Sequence, residues 1–246
     1  MKLTFGVYNL KDGNGRNQMT PKIISRCALL HNLNEVECQA IIEQSQQCHI
    51  EKGHFFFHQG ENATTMYIIL SGQVKLSQVT QAGDQVIVGF CSPGDGLGII
   101  VALSKLEYPL SAEAVTDCTA VAWQREKMEQ LMLTYPRLAL NGTAMIAQRF
   151  VKLQDQYRDI ATRRVEQRVA RALLRLVRQF GKKVEQGVLI DMPLSRQDLA
   201  EMTGTNVYNV SRILSKWERA AWISSQRQCI ILCKAHELVV LAEHLA

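Results

Sequence analysis

No apolar run in this chain of 246 residues approaches the about 18 residues that a membrane-spanning helix needs. Its first residues, MKLTFGVYNLKDGNGRNQM, lack the sustained apolar core and small-residue cleavage site of a secretory signal. A cytoplasmic protein without membrane contact is expected, with residues 1–20 as a flexible arm. A disulfide framework is also missing. The seven cysteines, at 27, 38, 48, 91, 118, 229 and 233, are odd in number and include no CxxC pair, so they read as reduced thiols. Charged residues reach only 21% against 47% hydrophobic, which argues against disorder and for one large domain or two modest ones.

Charge is unevenly placed. Residues 1–160 carry 14 Lys and Arg against 15 Asp and Glu, whereas residues 161–246 carry 14 against 8. The net +5 therefore belongs to the C-terminal third. That asymmetry suggests contact with nucleic acid, the alternative being a solvated basic face.

The apolar pattern changes along the chain. Residues 21–50 have helical spacing, with Asn34 as a cap and Glu37 three residues on. From about Glu51 short apolar runs alternate with glycines at 53, 60, 72, 83, 89, 94, 96 and 98. MYIIL and QVKLSQV read as strands joined at Ser71-Gly72, QVIVGF as another after Gly83-Asp84, and SAEAVTDCTAVAW as two more. Such strands predict an antiparallel roll, barrel or sandwich. Pro136 opens a long helix to about Arg158. On it Ile146, Phe150, Leu153, Tyr157 and Ile160 recur at spacings of 4-3-4-3, a seam that suits pairing with a second copy or, alternatively, packing on its own domain. Residues 163–181, RRVEQRVARALLRLVRQFG, predict a second amphipathic helix with Val165, Val169, Leu173 or Leu174, and Val177 inward, ending at Gly181. VLIDMPLS then reads as a short strand.

The next stretch carries the sharpest signal. Ser195 and Asp198 have capping-box spacing at the head of RQDLAEMT, which stops at Gly204. Thr205 or Asn206 caps a second segment, VYNVSRILSKWERAA. Leu199, Met202, Val210, Ile213, Leu214 and Trp217 face inward between the two, which makes a helix-turn-helix. In that motif the start of the second helix enters the major groove. Val207, Tyr208, Ser211 and Arg212 are then the base-contacting candidates, with the Arg212 fork suited to a guanine edge. Arg196, Gln197, Thr205, Asn206 and Lys216 are the phosphate-contacting candidates. WISSQRQCIILC adds a two-stranded wing turning near Gln226-Arg227, with Cys229 and Cys233 on one face, as small packed residues or a redox pair.

Across residues 21–235 the layout resembles the cyclic-AMP receptor/FNR family of bacterial transcription regulators. The likeness is carried by FHQGENATTMYIILSGQVKL, AGDQVIVGF and PGDGLG, with glycines 60, 72, 83, 94 and 98, and by LSRQDLAEMTGTNVYNVSRILSKWE. It implies an α+β fold: a cyclic-nucleotide-binding-type antiparallel β-roll (21–135), a dimerisation helix (136–160) and a winged helix-turn-helix (161–246). It also implies a homodimer on double-stranded DNA at a palindromic promoter site, in contact with RNA polymerase. Such a chain is a regulator rather than an enzyme. A cupin-like enzyme would need converging ligands of the HxH kind, and His54 and His58 are four apart.

The departures from the family bear on its signal. Members that bind cyclic AMP have a Glu after the cassette glycine and a later Arg-Ser or Arg-Thr pair. Here Gly98 is followed by Ile99 and Ile100, and the later positions are Pro109, Leu110 and Ser111. Ribose hydroxyl and cyclic phosphate both lose their partners, which argues against cyclic AMP. The resemblance implies an effector pocket at Gly98, Ile99, Ile100, Leu110 and Ser111, with Leu153 and Gln154 approaching from the dimer helix. Its apolar lining suits an apolar or flat ligand. Haem held by His31, His49, His54 or His58 stays open as a cofactor, as do an iron–sulfur cluster on Cys27, Cys38, Cys48 and Cys118, and a regulator active without ligand. The tight N-terminal cysteine group of iron–sulfur members is missing. In the recognition helix Tyr208 stands where many relatives have a Glu that accepts from cytosine, while Ser211 and Arg212 resemble the branch reading a TTG-type half-site.

Overall fold

The computed structural model describes residues 23, 26–104, 106–226 and 228–243. The expected N-terminal arm and Arg227 of the wing turn lie outside them. The chain forms two compact units, one drawn from residues up to Val79 and from Gly89–Val151, the other from Thr80–Val88 and from Lys152 onward.

In the first unit, helix α1 (Glu35–Glu43) begins at a reciprocal cap. Asn34 Oδ1 accepts from the Glu37 amide at 2.9 Å, and the Glu37 carboxylate accepts from the Asn34 amide at 3.0 Å. The helical reading of residues 21–50 fails at its end, where Gln46–Ile50 is strand β1. It pairs antiparallel with β8 (Cys118–Gln124), Cys48 opposite Ala120, and this distant partner overrides the local pattern. The remaining strands are β2 (Phe55–Phe57), β3 (Thr65–Ser71), β4 (Val74–Val79), β5 (Gln85–Cys91, of which only the residues from Gly89 on belong to this unit), β6 (Gly96–Leu97) and β7 (Ser111–Ala114). They make two four-stranded sheets, ordered β1-β8-β3-β6 and β2-β7-β4-β5.

Strand β3 explains the roll's core. Its sequence TMYIILS is almost wholly apolar because both faces are covered. Met66 and Ile68 pack with Ile41, Ile42 and Trp123 against the helical side. Tyr67 and Ile69 point the other way, among Phe56, Phe57, Leu97 and Tyr108. Each such side chain contributes about 1.5–3 kcal/mol through burial. Trp123 Nε1 donates to the Ile41 carbonyl at 3.0 Å, which joins sheet to helix. The β3–β4 turn needs glycine. Gly72 has φ +88°, and a Cβ there would lie 2.4 Å from the Asp117 carbonyl and 2.5 Å from Cys118 Sγ.

Helix α2 (Ile100–Leu103) is a single turn. Helix α3 (Arg125–Thr134), absent from the sequence reading, buries Met128, Leu131 and Met132. Helix α4 (Pro136–Thr162) is continuous over 27 residues, about 40 Å at 1.5 Å per residue, with proline at its first position.

In the second unit, helix α5 (Val165–Phe180) buries Val169, Ala170, Ala172, Leu173, Leu176 and Phe180. Of Leu173 or Leu174 it is Leu173 that faces inward; Val165 and Val177, expected inward, are half-buried, because the inward stripe is centred between Val169 and Leu176. Strands β9 (Gly181–Val184) and β10 (Gly187–Ile190) follow, then α6 (Arg196–Thr203), α7 (Val207–Arg219), β11 (Ile223–Gln226), β12 (Cys229–Leu232) and α8 (Ala235–Glu243). The four strands order as β11-β12-β10-β9. Among the described residues no helix is long and apolar enough to cross a membrane.

Candidate nucleic-acid interface and effector cavity

The α6–α7 pair is built by its caps. Ser195 Oγ accepts from the Asp198 amide at 3.0 Å, and the Asp198 carboxylate accepts from the Ser195 amide at 2.8 Å. Gly204 takes the left-handed conformation at φ 59° and returns its N–H to the Ala200 carbonyl, so α6 stops there. The cap of α7 is Asn206, whose Oδ1 accepts from the Asn209 amide at 2.9 Å. Thr205 Oγ1 accepts from Asn209 Nδ2 at 3.1 Å. Leu199, Ala200 and Thr203 pack inward with Val210, Ile213, Leu214 and Trp217. Met202 is half-buried, and Thr203 takes the inward place with its hydroxyl donating to the Leu199 carbonyl at 2.6 Å.

The opposite face of α7 carries the base-contacting candidates. Val207, Tyr208, Ser211 and Arg212 share that face at helical spacing; Tyr208 is 76% exposed, Val207 and Arg212 are exposed, and Ser211 is half-buried. Arg196 and Gln197 stand exposed on the first turn of α6, and Asn206 is exposed at the head of α7. Lys216 is differently engaged. Its Nζ lies 2.9 Å from Glu166 Oε1, the oxygen that also accepts from Trp217 Nε1 at 3.0 Å. An arginine missed in the sequence fixes the motif to α5: Arg168 donates to the Gly204 carbonyl at 3.2 Å, and it also donates to the Ile160 carbonyl of α4 at 3.1 Å.

The first unit contains a cavity of about 200 Å³ lined by Phe57, Leu76, Leu97, Gly98, Ile99, Ile100, Tyr108, Pro109, Leu110, Ile146 and Arg149. It gathers four of the expected pocket residues, Gly98, Ile99, Ile100 and Leu110. Ser111 is buried elsewhere, its Oγ accepting from the Gln59 amide at 3.0 Å. Helix α4 contributes Ile146 and Arg149 rather than Leu153 and Gln154, which belong to the second unit. The Tyr108 ring stacks on Phe57 at 3.8 Å. Its hydroxyl is occupied, donating to the Thr65 carbonyl at 2.6 Å and accepting from the Thr65 amide at 3.0 Å. Arg149 donates to the Gly96 carbonyl, and among the described residues no carboxylate pairs with it.

The seam on α4 is open. Ile146, Leu153 and Ile160 are exposed, Phe150 is 59% exposed and Tyr157 74%. The histidines do not converge on the cavity: His31, His54 and His58 are exposed and His49 is half-buried. Among the described residues no three His, Cys, Asp or Glu side chains gather to hold a metal. None of the seven cysteines forms a disulfide, and burial pushes the thiols of Cys27, Cys48 and Cys118 up to about 11.

Known proteins place this arrangement. Residues 47–135 match the family model of the cyclic nucleotide-binding domain, and residues 167–241 that of the Crp-like helix-turn-helix domain. The CRP-like cAMP-activated global transcriptional regulator of Mycobacterium tuberculosis is 22% identical over 217 residues, 88% of this chain and 97% of that protein. The global nitrogen regulator of a Nostoc species is 28% identical over 75% of this chain and 83% of its own. The structure of FixK2 from Bradyrhizobium japonicum superposes with a TM-score of 0.71 at 24% identity, covering 80% of this chain and 96% of that one.

Proposed function

The chain belongs to the CRP/FNR family of transcription regulators, and from that premise we propose that it acts as a homodimer that reads a palindromic operator through α7 and answers to a ligand in its roll cavity. DNA binding is the work of its Crp-like helix-turn-helix domain. The observation carrying the finer reading is the exposed face of Val207, Tyr208 and Arg212 at the capped start of α7, the end that enters a major groove. Arg212 forks onto a guanine, Val207 meets a thymine methyl, and Tyr208 and Ser211 complete the readout. Arg196, Gln197, Thr205 and Asn206 hold phosphates, with Lys216 contributing less while Glu166 holds it.

Dimerisation rests on the open seam of Ile146, Phe150, Leu153, Tyr157 and Ile160, whose apolar area is too regular for a solvated helix face. A ligand in the cavity touches α4 at Ile146 and Arg149, so occupancy biases the helix that runs on into the DNA-binding unit. Cyclic AMP is a poor occupant, since Ile99, Ile100 and Leu110 stand where the ribose acceptor and the phosphate-binding arginine of cyclic-AMP binders would be, and a nucleotide exceeds a cavity of about 200 Å³. Contact with RNA polymerase and residence in the cytoplasm are parts of the same proposal.

Selection of bound sequences from random double-stranded DNA tests it. A two-fold symmetric site with half-sites about 34 Å apart, containing a conserved guanine and bound with a steep salt dependence, is expected. Binding without sequence preference would refute it.

A further inference from the structure

The roll cavity is apolar on nearly every side and has one cationic group. Phe57, Leu97, Ile99, Ile100 and Leu110 present hydrocarbon, and the Tyr108 hydroxyl is consumed on both sides by Thr65. Arg149 is different. It is half-buried, it lines the cavity, and one neutral carbonyl, that of Gly96, is the acceptor its guanidinium has found. A guanidinium carries five N–H donors and a fixed charge. Partial burial against hydrocarbon without an anion is costly, which leaves this wall complementary to a negative group. Size limits the rest of the ligand. The cavity holds about 200 Å³, somewhat more than the ~150 Å³ apolar cavity that accepts a benzene ring. A ring or short alkyl chain fits that space, whereas a nucleotide does not.

We propose that this cavity binds a small amphipathic monocarboxylate, its carboxylate paired with Arg149 and its hydrocarbon tail among Phe57, Ile99, Ile100 and Leu110. The inference deepens the proposed function and rests on the cavity being the effector site. The carboxylate makes a charge-assisted, bidentate contact that a hydroxyl or amide cannot match. The tail supplies the remaining affinity through burial. A polyol or a dianion is disfavoured, because beyond Arg149 the cavity offers no free polar side chain among its lining residues.

Calorimetric titration of the full chain with benzoate, hexanoate and octanoate, each against its own amide and against cyclic AMP, tests this. At least one acid is expected to bind, with its amide about 10-fold or more weaker. Arg149→Gln is expected to lower the acid to the level of its amide, and Arg149→Lys to retain part of the difference. Ile100→Trp, which fills the cavity while leaving Arg149 in place, is expected to abolish binding of the acid. An acid and amide that bind equally, or an acid indifferent to Arg149→Gln, would overturn the proposal. So would the failure of every acid to bind a preparation that still holds its operator, and that result leaves the regulator reading standing. If the preparation holds no operator with or without an acid, the regulator reading fails, and the acid–amide comparison still decides what the cavity takes.

Discussion

The Asp159 carboxylate, whose side chain is 4% exposed, meets the Arg171 guanidinium at 2.9 Å. Its other oxygen accepts from Arg175 at 2.8 Å, and Arg171 also reaches Glu243 at 2.7 Å. The last turns of α4, the middle of α5 and the end of α8 are thereby tied at one buried acid. Removing that acid alone leaves Arg175 without its partner and Arg171 with Glu243 alone, so Asp159→Leu is expected to cost about 3 kcal/mol in urea denaturation. Replacing Arg175 by Leu as well should recover part of that loss. A cost near zero for the single change would mean that the network contributes nothing to stability.

Two glycines with positive φ respond differently to the same substitution. At Gly204, φ is 59° and a Cβ would meet nothing within 4 Å, so Gly204→Ala bears only the cost of a left-handed residue, about 1 kcal/mol. At Gly72 the Cβ would collide with the Asp117 carbonyl and Cys118. Gly72→Ala is expected to lose about 3 kcal/mol or to fail to fold, measured by thermal melting.

On DNA, Arg212 and Lys216 are expected to separate by type of effect. Arg212→Ala should cost about 1–3 kcal/mol and relax preference at one base pair of each half-site, read from competition binding. Arg196→Gln should weaken all sequences alike and lower the salt slope by about 0.9 for each phosphate it no longer neutralises. Lys216→Gln should do less than Arg196→Gln, because the lysine already has Glu166 as a partner. Equal effects would show that the Glu166 pair opens on DNA.

Stability should fall in alkali for a nameable reason. Cys27, Cys48 and Cys118 ionise near the ordinary value of 9.0 when unfolded and near about 11 when buried. The folded chain therefore retains protons that the unfolded chain releases across that interval. Their contribution is complete below pH 9.0 and is lost as pH rises toward about 11. Burial raises the Tyr67 hydroxyl in the same sense. The urea midpoint should drop across this window, and less steeply once the three cysteines are alanines. A thiol reagent at neutral pH should modify the half-buried Cys229 and Cys233 before the buried thiols.

The elements legible in the sequence are those specified within a few residues. The Asn34–Glu37 and Ser195–Asp198 boxes and the turn at Gly204 are local devices, and each helix they bound begins or ends where the pattern indicated. Strand β1 is not of this kind. QQCHI has no strand texture of its own and is specified by Cys48 opposite Ala120, 72 residues away. Helix α3 follows Gln124 without the side-chain cap that marks α1 and α6, and the burial of Met128, Leu131 and Met132 is what supports it. The pocket divides in the same way. Ile99, Ile100 and Leu110 were visible as departures from a motif, whereas Arg149 on a helix surface looks like any solvated charge until Gly96 is brought beside it.

The placement of the tryptophans gives the molecule a built-in optical readout. Trp123 is 1% exposed in the core of the first unit, and Trp217 is fully buried in the second with the Trp222 ring 6.5 Å away. With Trp123 replaced by Phe, intrinsic fluorescence follows the DNA-binding unit alone; with Trp217 and Trp222 replaced instead, it follows the roll. Two emission curves that coincide in denaturant would mean the units melt as one cooperative body, and curves that part would locate the seam where that cooperativity ends.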